Sequence, residues 1–197
     1  MLHEKLCCTS NVCPTTSFFH GSTEVLRSAT IEMLALVSRV AEMEKERLID
    51  TTPEGSPSTK PFARKGELKE YIHNAARRHD ELLEEARCGQ GVDRHLLALH
   101  HLAEKNKDDD ALSFFNDVVY KQMKTFTLES RQFSQPWLQY YSFGPATPNG
   151  YGIGYVIDED EIRLSLSAFA NSPSANVADL AAAITGAYQI IVKTLLP

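Results

Sequence analysis

A chain of 197 residues, 43% hydrophobic and 23% charged, is long enough for one domain with a real core and ordinary in composition for a globular protein. Its formal net charge of −6 argues against a nucleic-acid partner, since no basic face is concentrated enough to neutralise phosphates, and Arg64-Lys65 and Arg77-Arg78 sit among acids as solvated helix faces. No apolar run approaches the roughly 20 residues that span a bilayer, and the N-terminus lacks a signal-peptide pattern, so no transmembrane segment is expected.

Residues 1–18 show neither helical nor strand periodicity and read as a loosely ordered leader. Three of the four cysteines, Cys7, Cys8 and Cys13, fall here, and Cys88 stands alone. With His3 and His20 they do not make four ligands at finger-like spacing, so reduced thiols and no metal are expected. Thr23 to Arg27 alternates as a short strand. Thr30 then caps a helix whose apolar stripe is Ile31, Leu34, Val37 and Ala41. Residues 51–61, with three prolines and a glycine, mark a surface loop. A second helix runs from Glu67 on the stripe Leu68, Ile72, Ala75, His79, Leu82 and Ala86 and ends at Gly89 and Gly91, with His79 a packed rather than catalytic histidine. Asp93 is expected to cap a third helix, and the run Asp108 to Asp110 a fourth reaching about Met123. Thr125 to Ser130 alternates as a strand, and a further strand is expected at about Leu138 to Phe143. A long C-terminal helix carries Val177, Leu180, Ala181, Ile184, Tyr188, Ile191 and Leu195 on one face.

The most informative stretch is Phe143 to Phe169. Pro145, Pro148, Asn149 and Gly150 punctuate a tight turn, and Tyr151, Ile153, Tyr155 and Ile157 then alternate with Gly152, Gly154 and Val156. After Asp158 to Glu161, Ile162, Leu164, Leu166 and Ala168 share one face of a second strand. Glycine weakens a strand, so Gly152 and Gly154 imply either that another backbone or a ligand comes close to that face or that a helix packs tightly there. The elements sum to an α/β fold, a central mixed β-sheet flanked by helices.

Phe143-Gly-Pro145 followed by Pro148 to Ile157, PNGYGIGYVI, resembles the C-terminal region of the choline/carnitine O-acyltransferase family. His20 to Ala29, HGSTEVLRSA, is similar to the family's GRTE-type motif, and Val92 to Leu99, VDRHLLAL, to its DRHLLGL-type motif, in the family's order. The likeness runs from about Phe19 to near the C-terminus, about the last third of a full-length member. It implies the C-terminal lobe of the coenzyme A-dependent acyltransferase fold, whose active-site tunnel lies between two similar lobes, with residues 19–197 forming the domain. It also implies carnitine and acyl-coenzyme A as substrates, the coenzyme A thioester being a co-substrate rather than a bound cofactor.

Acyl transfer from a thioester to a hydroxyl needs a general base and an oxyanion donor. The family's base is a histidine in a histidine-x-x-x-aspartate context of its N-terminal lobe, and none of the seven histidines here has Asp four residues later. No catalytic residue is therefore assigned, and a missing N-terminal lobe or self-association is expected. The family's Ser-Thr-Ser signature falls at Glu129-Ser130-Arg131, where Arg131 reads as a strand-end residue, and the glutamine that follows it matches Gln132, a candidate coenzyme A contact. Ser10 to Ser17 stand where the family has a tyrosine and a serine-rich signature. The residues that bind the carnitine carboxylate match Thr23 and Arg94, and a planar guanidinium at a helix start suits that carboxylate. An ion pair of Arg94 with Asp93 or Glu24 is the alternative. Beside a carnitine acyltransferase-like protein, a noncatalytic remnant that binds carnitine or a partner, and a structural module without ligand, remain open.

Overall fold

The structure, a computed structural model, describes residues 8–15, 17, 19–49, 60–133 and 135–196. They divide into two compact units: the described residues up to Ser28 together with Leu82–Leu180, and Ala29–Glu81 together with the described residues from Ala181 onward.

The first unit is built on a five-stranded mixed sheet ordered β2-β1-β3-β4-β5, from β1 (Cys8–Thr15), β2 (Ser22–Leu26), β3 (Phe126–Gln132), β4 (Tyr151–Ile157) and β5 (Ile162–Ser167). The β1–β3 and β3–β4 pairs are parallel, while β1–β2 and β4–β5 are antiparallel. β1 corrects the expectation of a loose leader. It is an internal strand in which polar Ser10 and Thr15 are buried as well as Cys13, so the alternation of polarity that betrays a half-buried strand is missing from its sequence. Pro14 is tolerated because the β1–β3 pairing ends at Val12, leaving Pro14 paired only with Thr23 of β2.

β3 and β4 are parallel neighbours, so the chain between them must travel back along the sheet. The strand expected at about 138–143 does not form. Both edges of β4 are already taken by β3 and β5, and the segment instead lies over the sheet face. Gly152 and Gly154 make room for it: a Cβ on Gly154 would stand 2.1 Å from the Tyr141 carbonyl oxygen, and one on Gly152 would stand 2.7 Å from that of Phe143. Of the two readings of these glycines, close approach of another backbone is the one realised. The Ser167 hydroxyl fastens the crossing by donating to the Phe143 carbonyl at 2.5 Å.

Three helices follow from their caps. α3 (Asp93–Asn106) begins at the expected cap itself, the cap position falling one residue earlier on Val92, whose backbone is already in the helical region, so Asp93 lies inside the first turn and makes no capping hydrogen bond. The single helix expected from Asp108 to about Met123 is two, α4 (Asp109–Asn116) and α5 (Val118–Met123). Asp108 caps the first through the Ala111 N–H, and Asp117 breaks the run and caps the second through the Val119 and Tyr120 N–H groups. A small core of Cys13, Leu26 and Ala86, with Leu82 and Leu83 against it, joins β1 and β2 to the end of the helix α2 (Lys60–Arg87).

The second unit holds α1 (Ile31–Ile49), most of α2 and most of α6 (Val177–Leu195). Thr30 caps α1 by accepting the Met33 N–H at 3.2 Å, and Arg39 bridges Glu42 and Glu67 at 3.2 and 2.8 Å. Leu68, Ile72 and Ala75 are buried as their spacing predicts. Ile31, Leu34 and Val37 are not: the α1 stripe is exposed, and so are Tyr188 and Ile191 of α6, where Thr194 is buried instead. Of the predicted loop 51–61, residues 51–59 lie outside the described residues, and Lys60 and Pro61 open α2, proline being well suited to a first helical turn. No helix among the described residues is long and apolar enough to cross a membrane.

Candidate functional site

The corner where the edge strand β2 meets the start of α3 brings Thr23 and Arg94 together across 71 residues of sequence. The Arg94 Nε donates to the Thr23 carbonyl oxygen at 2.6 Å, and its Nη2 donates to the Thr23 hydroxyl at 2.8 Å. Both residues are exposed. The guanidinium is thus held by one edge of its fork, and no hydrogen bond among the described residues uses Nη1, so an open, oriented donor edge faces outward. Glu24 is not the ion-pair partner of this side chain. Its buried carboxylate accepts the backbone N–H of Val25 at 2.7 Å and of Arg94 at 3.4 Å. It lies where a Cβ on Gly91 would be, 2.2 Å from the nearest Glu24 atom, so only glycine fits there.

Asp93 also turns away from Arg94. Its carboxylate, 1% exposed, takes a two-pronged contact from Arg27 (Nε 3.2 Å, Nη2 2.8 Å) and a third from Lys124 Nζ at 3.0 Å. The Arg27 Nη1 reaches the Met123 carbonyl at 3.0 Å, and its guanidinium carbon sits 5.2 Å from the centre of the Phe126 ring. Burial by itself would raise the Asp93 pKa, but the hydrogen bonds and charges of Arg27 and Lys124 outweigh it and hold the carboxyl below its ordinary value. Sequence reasoning missed this cluster. Arg27 lies 66 residues and Lys124 31 residues from Asp93, so no local spacing announces it.

On the same sheet face as Thr23, by the alternation of side chains and the pairing of β2, β1 and β3, stand Glu129 and Arg131. Strand spacing puts Thr23 and Arg131 about 12 Å apart. Arg131 clamps the buried Glu129 carboxylate, Nε at 3.0 Å and Nη2 at 2.5 Å, and its guanidinium carbon lies 4.4 Å from the Phe143 ring centre. Partial burial works to lower the Arg131 pKa, yet the hydrogen bond and charge of Glu129, helped by Tyr141, raise it above its ordinary value. An ion pair therefore fills the positions matching the two serines. Gln132 follows on the opposite face, exposed at the end of β3 beside Tyr155, so it does not converge with Thr23 and Arg94.

Cys8, Cys13 and Cys88 form no disulfide, and burial pushes the Cys13 thiol up, away from a reactive thiolate. Among the described residues no group of three His, Cys, Asp or Glu side chains could hold a metal ion.

Comparison with known proteins matches residues 1–186 to the model of the choline/carnitine O-acyltransferase family. The likeness therefore reaches further toward the N-terminus than Phe19 and takes in β1. Mitochondrial carnitine O-palmitoyltransferase 2 is 30% identical over 165 residues in Xenopus tropicalis, covering 84% of this chain and 22% of that protein. The Homo sapiens protein is 30% identical over 161 residues, covering 82% and 22%. A putative mitochondrial carnitine O-acetyltransferase of Saccharomyces cerevisiae is 28% identical over 155 residues, covering 78% and 20%. The chain spans about a fifth of the length of these relatives, less than the third that the likeness implied. With a family match over nearly its whole length, the chain belongs to the choline/carnitine O-acyltransferase family.

Proposed function

We propose that this chain is the carnitine-binding part of a carnitine O-acyltransferase-like protein, which moves an acyl group between coenzyme A and the carnitine hydroxyl. The observation that carries this reading is the Arg94–Thr23 pair, a guanidinium edge held open beside a hydroxyl, suited to a carboxylate through two charge-assisted hydrogen bonds. The lobe is the C-terminal one of the coenzyme A-dependent acyltransferase fold, comprising residues 19–197 with β1 added. Gln132 contributes on the coenzyme A side, from the other face of β3.

The same reading holds that the chain alone does not turn over. It has no histidine followed four residues later by aspartate, and at the oxyanion positions it carries Glu129 and Arg131 bound to one another. That ion pair also favours a second reading, a noncatalytic member that binds carnitine or a protein partner. The apolar pairs Tyr155–Leu164 and Ile157–Ile162 put exposed Leu164, Ile157 and Ile162 on the outer part of the sheet, which supports self-association or a partner lobe.

Thiol release from acetyl- or palmitoyl-coenzyme A in the presence of carnitine tests the first part. The expected rate is at least about 10²-fold below that of a full-length family enzyme, the low end of what a general base contributes. A rate within about tenfold of that enzyme would overturn the inactivity. Titration with carnitine tests the second part, and no binding at millimolar concentration by the folded chain would remove the carnitine site.

A further inference from the structure

We propose that Asp93 is a positioning residue for the Arg94–Thr23 corner, and that through it the end of β2 and the joint between α5 and β3 set the aim of the Arg94 guanidinium. Three separate stretches of chain meet at its carboxylate. Arg27 directly follows β2, Asp93 opens α3, and Lys124 directly follows α5. Arg27 carries the link onward to the Met123 carbonyl and the Phe126 ring at the start of β3. A carboxylate with 1% exposure and three cationic donors is not a surface ion pair that opens and closes with solvent.

The next residue is Arg94, in a first helical turn, so any tilt of the α3 start relative to β2 moves the guanidinium against Thr23. Without the cluster, the hydrogen bonds from α3 to β2 among the described residues would be those of Arg94 alone, its side chain on Thr23 and its N–H on Glu24 at 3.4 Å, beside the packing of Glu24 against Gly91. An exposed arginine cannot both hold a helix in place and remain free to grip a ligand. Asp93 takes over the first task. The clamp also sets the sign of the corner, since Arg27, Lys124 and Arg94 outnumber Asp93 and Glu24 and favour an anionic ligand.

The test reads Arg94 directly, by solvent exchange of its Nε–H in nitrogen-resolved spectra, the signal being identified by its loss in Arg94→Lys. Asp93→Asn is nearly isosteric and leaves Arg27 and Lys124 without their anion. It is expected to speed Arg94 Nε–H exchange about tenfold while β3–β4 amide protection stays as in wild type, because the lost coupling is local. Lys124→Gln keeps the Arg27 contact and is expected to give a smaller change of the same sign, and it carries the test if Asp93→Asn does not fold. Unchanged Nε–H exchange in a folded variant would overturn the proposal, and so would a rise matched by the β3–β4 amides, the mark of a merely structural role. The ligand arm rests on the carnitine reading above: carnitine affinity should weaken about 5- to 10-fold in Asp93→Asn and stay unchanged in an equally destabilised core variant such as Ile72→Val. Failure of wild type to bind carnitine would sink that reading alone, since the exchange measurement needs no ligand.

Discussion

Two places on one sheet face, one at its β2 edge and one on its central strand β3, have been treated differently in this chain. At the β2–α3 corner an arginine reaches a neutral threonine and keeps part of its fork available, whereas on β3 an arginine is consumed by a glutamate two residues away. The same side chain thus keeps donors open to solvent in one place and is self-neutralised in the other. What decides is the partner. A hydroxyl and a carbonyl orient a guanidinium without cancelling its charge, while a buried carboxylate cancels it. Over the β3 site the crossing segment adds Phe143 and Tyr141, so that site is partly covered as well as neutralised.

The largest expected effect tests that cover. Gly154→Val puts a side chain into the Tyr141 carbonyl, 2.1 Å from the Cβ position, and backbone cannot step aside as a flexible side chain can. A loss of about 3 kcal/mol in denaturant unfolding is expected, the upper end of typical overpacking costs. A loss under about 0.5 kcal/mol would show that the segment does not hold the face.

Next comes Arg94→Ala, which separates ligand from fold. Carnitine binding should lose about 1.5–3 kcal/mol, the value of hydrogen bonds to a charged group, with only about 0–1 kcal/mol of stability because the side chain is exposed. Calorimetric titration and melting curves read the two numbers. Equal losses in both would make the corner structural.

Acid sharpens the contrast with the clamp behind it. The folded Asp93 pKa lies below its unfolded value of about 3.9, so the stability it contributes is present above that pH and is lost as pH falls through the folded value. The difference in unfolding free energy between wild type and Asp93→Asn should therefore be constant near neutrality and shrink on acidification below pH about 4. A difference that does not change with pH would mean the carboxylate titrates alike in both states.

The smallest effect belongs to the β3 pair. Arg131→Ala leaves the Glu129 carboxylate buried without its cation and should cost about 1 kcal/mol, limited because the Arg131 side chain is 41% exposed. Replacing both residues by serine should restore most of that loss, since neither charge is then left unpaired. A double variant less stable than the single one would assign the pair a packing role instead.

The spacing of residues alone announced several features. The helix stripe of Leu68, Ile72 and Ala75, the caps at Thr30 and Asp108, the hairpin of Tyr151 to Ser167 and the need for something close to Gly152 and Gly154 all arise from short-range periodicity or from the missing Cβ. The motif likeness likewise names Thr23 and Arg94, and the fold joins the two by hydrogen bonds. Tertiary structure decided the rest, and it did so wherever partners are distant in sequence. β1 is a strand because two neighbours claim its backbone despite its polar residues. Residues 138–143 are not one because β4 has no free edge. Asp93 reads locally as a helix cap, yet two cations, 66 and 31 residues away, draw its carboxylate inward, and a charge-assisted contact in a buried place outweighs a capping hydrogen bond at a helix start.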